Sequence, residues 1–294
     1  MNSNEDDNTT KTTIFKVGEY QLRITHRNIL DEYEIDPNFF EPGYTLAAST
    51  GYLRVWEGSE ILTSFMACNY EMQKLIRNRR VIELGSGSGL LGLAAAALGG
   101  HVLLTDLTFL VEDVLLRNIK QNENVLRNDE LKQQLEANEI STKNSTEACC
   151  AWPGSLCVGD GSAATQALDW TKSIDVQAPS DDKMLYHCDP RRAEIIIAAE
   201  CVWLRDLVLP FVNTVIELMH GQYQPKCILS FRDRSDDSLE DGAFAGVKEV
   251  VKAFEERGCI QRTIHQVPTE DEGKMCFVYE ITLAFGLDRK DTKQ

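Results

Sequence analysis

Positive charge is what this chain most lacks. Its 294 residues carry 30 lysines and arginines against 46 aspartates and glutamates, a net charge of -16. Such a surface repels phosphate backbones, so DNA or RNA is not expected as the main substrate, and a basic peptide or protein is the better-matched partner. Long apolar runs are also missing. The longest, Leu90 to Leu98, is well under the roughly 20 residues that a membrane helix requires. The N-terminal stretch from Met1 to Thr10 has neither the basic start nor the apolar core of a secretion signal, and no membrane association is expected. The nine cysteines form no Cys-x-x-Cys pair and keep no regular spacing. That argues against a disulfide framework and against a metal site. An odd number of thiols without a secretion signal fits a reducing compartment, so the expected location is the cytoplasm, with the nucleus as a second compartment. Internal repeats are absent as well. What remains, at 43% hydrophobic, is the composition of one large globular α/β domain with additions, expected to act as a monomer.

The richest stretch begins at Val81. Val81-Ile82-Glu83-Leu84 reads as a short buried strand. Glycines at 85, 87 and 89 let the chain turn sharply and pass close to a ligand. Leu90 to Leu98 then reads as a helix stopped by Gly99 and Gly100. His101 to Thr105 is a second strand, with Asp106 at its carboxyl end. Strand, glycine turn, helix, strand and acid make half of a doubly wound nucleotide site, where ligands bind beyond the carboxyl ends of the strands. A dinucleotide fingerprint would need its third glycine at position 90, which is Leu90. The spacing here is G-x-G-x-G, with Glu83 two residues before the first glycine. That pattern resembles motif I of the S-adenosylmethionine-dependent methyltransferases. Such a cofactor has no pyrophosphate to seat on a helix N-terminus. It carries a positive sulfur and an ammonium that suit a carboxylate, and two ribose hydroxyls that a carboxylate after the second strand can accept.

Elsewhere the pattern is regular. Residues 14–17 and 20–24 alternate around Gly18-Glu19 as a hairpin. Helical spacing runs from about Gly58 to Leu75, and again through Leu110, Val114 and Ile119. The segments at about 127–163 and 171–192 are polar or rich in breakers and read as insertions. A short strand is expected at Thr165–Trp170 between them. Glu194 to Ala199 reads as a fully buried strand. A helix (Leu207–Met219), a strand (Cys227–Phe231), a helix near Phe244–Phe254 and two closing strands follow. The expected fold is α/β: a doubly wound, mostly parallel seven-stranded, Rossmann-like sheet with one antiparallel edge strand and an N-terminal hairpin extension. One domain over 11–286 is expected, with tails at 1–10 and 287–294.

Four pieces of the sequence resemble the seven-β-strand protein-lysine methyltransferases. They are Gly51 to Leu62 around Trp56, Glu83 to Leu93 with Thr105-Asp106, Leu168-Asp169-Trp170, and Ala199-Glu200-Cys201-Val202-Trp203. The last stands where that family has Asp-x-x-Tyr or a close variant. The resemblance implies S-adenosyl-L-methionine as cofactor, held by Trp56, Glu83, Gly85, Ser86, Gly87, Asp106, Trp170 and Ala199. It implies Glu200 and Trp203 as catalytic residues at the amine pocket, no metal, and a protein substrate such as a chaperone or elongation factor. Phe231 and Arg232 are expected on the substrate side. The implied reaction is N-methylation of a protein lysine. Methylation of histidine or of a small molecule, and an interaction protein that binds the cofactor without turnover, stay open at this point. No Asn-Pro-Pro-Tyr-like segment and no paired-glutamate loop point to the nucleobase or arginine branches.

Overall fold

The computed structural model describes residues 10–28, 50–52, 54–128, 152–178, 188–232, 244–271 and 273–284. Strands β1 (Thr10–Val17) and β2 (Tyr20–Arg27) form the expected hairpin, longer at both ends than its apolar alternation shows. Eight further strands make one sheet: β3 (Arg80–Leu84), β4 (His101–Asp106), β5 (Leu156–Val158), β6 (Gly161–Ala167), β7 (Ile195–Ala199), β8 (Lys226–Arg232), β9 (Cys259–Pro268) and β10 (Met275–Leu283). Their order is β5-β6-β4-β3-β7-β8-β10-β9. Five strands from β6 to β8 run parallel. With β5 set aside, this is the doubly wound seven-stranded sheet expected from the sequence.

The parallel centre follows from its residues. Val81-Ile82 and Ile195-Ile196-Ile197 are buried on both faces, as strands covered by helices on either side must be. One core cluster joins the hairpin and the helices Glu57–Cys68, Tyr70–Ile76 and Leu90–Ala97 to one face. The other joins the helices Arg205–Met219 and Val247–Glu255 to the opposite face. The carboxyl ends of β3, β4 and β7 therefore come out together between the two layers.

Four differences from the sequence expectation have physical causes. The single helix expected from Gly58 to Leu75 is two, because Asn69 leaves helical geometry and its side chain accepts the Met72 N–H at 3.1 Å, capping the second. The segment expected as an insertion to 163 re-enters the sheet earlier, at β5 and β6. The first half of β6, Gly161-Ser162-Ala163-Ala164, has no large apolar residues because there is no room for them. A Cβ on Gly161 would lie 2.1 Å from the Gly100 carbonyl oxygen. The strand expected at Thr165–Trp170 is the second half of this element. Two strands, rather than one at the edge, run antiparallel: β5, and β10, which sits one place inside the rim strand β9. The described part of 171–192 also packs, since Ile174, Ala178 and Cys188 join the core. The expected tails at 1–10 and 287–294 lie outside the described residues, except Thr10, which opens β1.

Trp152 ties this re-entry down. It is 3% exposed, and its indole N–H donates to the His101 carbonyl at 2.8 Å, at the start of β4. Trp152→Ala removes a buried aromatic and a buried hydrogen bond together. It is expected to lower stability by about 3–5 kcal/mol, measured by urea denaturation, with Trp152→Phe recovering most of the loss.

Candidate functional site

The site is built where β3 ends. Gly85, Gly87 and Gly89 all adopt positive φ, at 67°, 53° and 85°. A Cβ on Gly85 would come within 2.5 Å of Cys201 Cβ, and one on Gly87 within 2.8 Å of the Gly51 carbonyl oxygen. Bare backbone is therefore required on two counts, conformation and approach. Asp106, at the end of β4, pins the turn. Its Oδ2 accepts the Gly87 N–H and its Oδ1 the Leu107 N–H, each at 2.8 Å. Burial pushes the Asp106 carboxyl up to about 6 even though these two N–H groups favour its charge. Each oxygen retains a further lone pair for a ligand hydroxyl.

Over the turn lies a cavity of about 330 Å³. Gly85, Ser86, Gly87, Asp106, Trp56, Trp170, Ala199, Glu200 and Trp203 all line it. Nine of the ten residues expected at the site thus come together from five segments of the chain. Trp170 lies against Gly85, where a Cβ would be 3.1 Å from its ring, and meets Phe211 edge-on with centroids 5.2 Å apart. Among the described residues its buried indole N–H has no hydrogen-bond partner. Trp56 donates to the Thr50 carbonyl at 3.1 Å, and Arg54 sits 4.4 Å over its ring.

Glu83 is the residue that does not line the cavity. It lies behind the turn, 2% exposed. A Cβ on Gly92 would lie 2.4 Å from Glu83 Oε2, so the first turn of the Leu90–Ala97 helix needs glycine there. Burial raises its carboxyl to about 8. The charge of Asp106 acts in the same direction, while Ser86 and the Gly92 N–H oppose it. The acid expected to face a sulfonium or ammonium instead fills the space under the helix N-terminus. A buried-strand pattern could not show this, because it leaves open what packs against the side chain.

Glu200 is placed differently from expectation too. Its backbone is left-handed, at φ 51°. Its side chain is tucked beneath Gly58, where a Cβ would lie 2.3 Å from Glu200 Cγ. Its Oε1 is 3.5 Å from Arg232 Nε. Arg232 also pairs with Glu57 at 3.2 Å and Asp271 at 3.0 Å. The carboxylate expected at the pocket mouth is therefore buried in the cavity wall with a cation already beside it. Arg232 and Phe231 do not line the cavity: Arg232 closes this ionic cluster, and Phe231, 3% exposed, belongs to the core. Trp203 keeps an open position beside Phe244, with ring centroids 6.0 Å apart, and the Ala245 N–H donates to its carbonyl at 2.9 Å.

The sequence reading missed Cys201, Leu207, Ser59 and Asp169, which also line the cavity. Asp169 was within reach as the middle of Leu168-Asp169-Trp170. Burial raises its carboxyl, but bonds from Lys172 and Thr171 outweigh this and hold it below the ordinary range. Leu207 carried no signal beyond helical spacing.

Fold and site together define a Rossmann-like α/β domain with a cavity at the carboxyl ends of its parallel strands. Residues 45–149 match the family model described as lysine methyltransferase, a span that includes the glycine turn and Asp106. EEF1A lysine methyltransferase 3 of Xenopus tropicalis is 38% identical over 69 residues, 23% of this chain and 29% of that protein. Protein N-lysine methyltransferase METTL21A of Danio rerio is 41% identical over 69 residues, with the same shares. The chain thus spans less than a third of the length of these relatives. Magnesium protoporphyrin IX methyltransferase from Synechocystis PCC 6803, solved with bound SAH, superposes with a TM-score of 0.42 at 11% identity, over 83% of this chain and 90% of that one.

The position of Glu83 makes stability depend on pH. Its folded-state value, about 8, lies above its ordinary 4.5, so the folded protein holds a proton that the unfolded chain releases. That contribution is complete below the ordinary value and is lost as pH rises through about 8. Asp106, raised to about 6 from 3.8, acts in the same direction. Glu83→Gln cannot ionise. Between about pH 5.5 and about pH 9 its urea midpoint is expected to fall less than that of the parent chain. Parallel pH profiles for the two would contradict the buried, protonated Glu83.

Proposed function

We propose that this chain is an S-adenosylmethionine-dependent protein N-methyltransferase acting on lysine. The observation that carries the reading is the cavity over the Gly85–Gly89 turn, within the segment that matches the lysine methyltransferase family. Its residues fit the cofactor. Gly85 and Gly87 let the backbone turn against Cys201, Trp170 and Gly51 with no side chain of their own, and both line the cavity. Beside it, Trp170 offers a buried N–H that has no partner among the described residues. Asp106 has acceptor capacity left for the ribose hydroxyls, and Trp56 and Trp170 present flat faces. When bound, S-adenosylmethionine supplies a methyl group on a cationic sulfur.

The remaining work falls to the chain's own residues. A lysine amine, with an unperturbed pKa of about 10.4, arrives as ammonium and must lose its proton before attack. Trp203 can hold the cation against its ring face. Glu57, Glu200 and Asp271 converge on Arg232, so the wall beside the cavity is rich in carboxylates that favour an approaching cation. Glu200 thus acts as part of a charged wall rather than as a lone acceptor. Desolvation in the cavity lowers the amine pKa, and alignment of the neutral amine with the methyl provides most of the acceleration. The substrate is a protein, with a chaperone or an elongation factor as the first class to assay, and the relatives named for EEF1A and protein N-lysine methylation support this choice. The seven described cysteines are all free thiols, which supports action in a reducing compartment such as the cytoplasm.

Two measurements on the same variants test the reading. Isothermal titration should show that Asp106→Ala weakens S-adenosylmethionine by at least about tenfold, the equivalent of about 1.4 kcal/mol. Labelled-methyl transfer into a cell lysate should label a protein at lysine. Trp203→Leu should reduce that transfer by about tenfold or more while cofactor affinity changes much less. Unchanged affinity in Asp106→Ala would remove the cofactor site. Cofactor binding with no transfer to any protein would favour the non-catalytic binder, a reading that the ion pair already occupying Glu200 supports.

A further inference from the structure

The cofactor cavity is not the roomiest hollow among the described residues. A groove of about 620 Å³ lies at the other end of the sheet. It is bounded by Arg79, just before β3, and by Lys226, the first residue of β8, whereas the cofactor cavity opens at the carboxyl ends of the strands. Two helices wall it, with Phe65 from one and Met72 and Leu75 from the other, and the rim strand β9 closes the far side through Arg262 and Ile264. A stacked pair, Phe65 on His265 at 4.4 Å, joins the helix wall to β9. Tyr70, between the lining residues Asn69 and Glu71, is 72% exposed.

The charge of this groove runs against that of the chain. Lys74, Arg79, Lys226 and Arg262 face two carboxylates, Glu71 and Glu280, on a molecule of net charge -16. Glu280 is shared by Lys226 at 2.6 Å and Arg262 at 2.9 Å. Lys74 and Arg79 are exposed, and neither pairs with a carboxylate among the described residues. A local positive excess in a negative field attracts a negative ligand. The apolar wall narrows the ligand's chemistry, because Phe65, Met72 and Leu75 offer contact for side chains rather than for a sugar-phosphate chain. The surrounding acidity also disfavours a long polyphosphate.

We propose that this groove docks an acidic segment of a partner protein, with aspartates or glutamates against Lys74 and Arg79 and an apolar side chain against Phe65, Met72 and Leu75. The site is separate from the cofactor cavity and does not depend on methyl transfer.

Fluorescence anisotropy on the full chain tests it. The probe is a fluorescein-labelled heptapeptide alternating Glu or Asp with Leu. Its controls are the same peptide with Lys for the acids and with Ser for Leu. The acidic, leucine-bearing peptide is expected to bind, both controls are expected to bind weakly, and added salt should weaken binding. Lys74→Glu with Arg79→Glu is expected to weaken the probe by at least about tenfold. Both positions are exposed, and an unchanged melting temperature and cofactor affinity would show that this variant is folded. Absence of binding, or equal affinity for parent and variant, would overturn the proposal. So would equal affinity for a single-stranded RNA of the same charge, which would make the groove a general anion surface. None of these readouts uses turnover, so the proposed methyltransferase activity can fail while the groove stands, and the reverse.

Discussion

The two short bonds from the Asp106 carboxylate to the backbone of Gly87 and Leu107 are the constraint from which the site is built. The first joins the end of β4 to the turn after β3 and the second orients the carboxylate, and so they fix the distance between the two parts that would hold the two ends of a nucleoside. With the turn held in place, Gly51 can close on Gly87 and Cys201 on Gly85, at separations that no side chain on either glycine would permit. The cavity is thus a product of missing atoms: three segments meet at positions without a Cβ, and the space left between them is the pocket. Burial of Asp106 works against its charge, and the two N–H groups only partly offset this. A cationic ligand nearby would complete the offset, a thermodynamic reason for such a site to prefer one.

On the other side of the cavity, three carboxylates converge on Arg232. They come from the start of the helix after Trp56, from the end of β7 and from the turn between β9 and β10. One guanidinium therefore links three parts of the wall that are far apart in sequence. A planar group with five donors suits this work better than an ammonium would. Removing it would leave three negative charges near one another, one of them, Glu200, buried. The left-handed backbone at Glu200 belongs to the same arrangement, because it turns the chain so that the side chain enters the cluster while Cys201 and Trp203 remain against the cavity.

Most of the architecture was legible because it is written in strong local signals. Ile195 to Ala199 is a buried aliphatic run, and Val81 to Leu84 is one but for Glu83. Gly85, Gly87, Gly89 and Asp106 declare a turn and an acid at fixed spacing. Where the reading fell short, the determining partner was distant in sequence. Gly161 looks like loop material until it is placed against the Gly100 carbonyl, and only the packed sheet shows that a larger residue would not fit. Glu83 and Glu200 were identified as carboxylates near the site, but their directions depend on Gly92 and Gly58, which have room for them only because each lacks a side chain. A one-dimensional pattern records which residues are acidic, not what their neighbours leave open. The groove beside Arg79 was invisible for the same reason, since its basic residues come from three separated segments.

The distribution of indoles has an optical consequence. Of the four tryptophans in the chain, Trp56, Trp170 and Trp203 border the cavity, while Trp152 is sealed in the core. Excitation near the red edge of protein absorption therefore addresses mainly the pocket, with one shielded emitter supplying a steady background. An adenine stacking on these rings would quench the first group and leave the second unchanged. The chain thus carries an intrinsic, label-free gauge of occupancy, one whose signal comes from the walls that a ligand would touch.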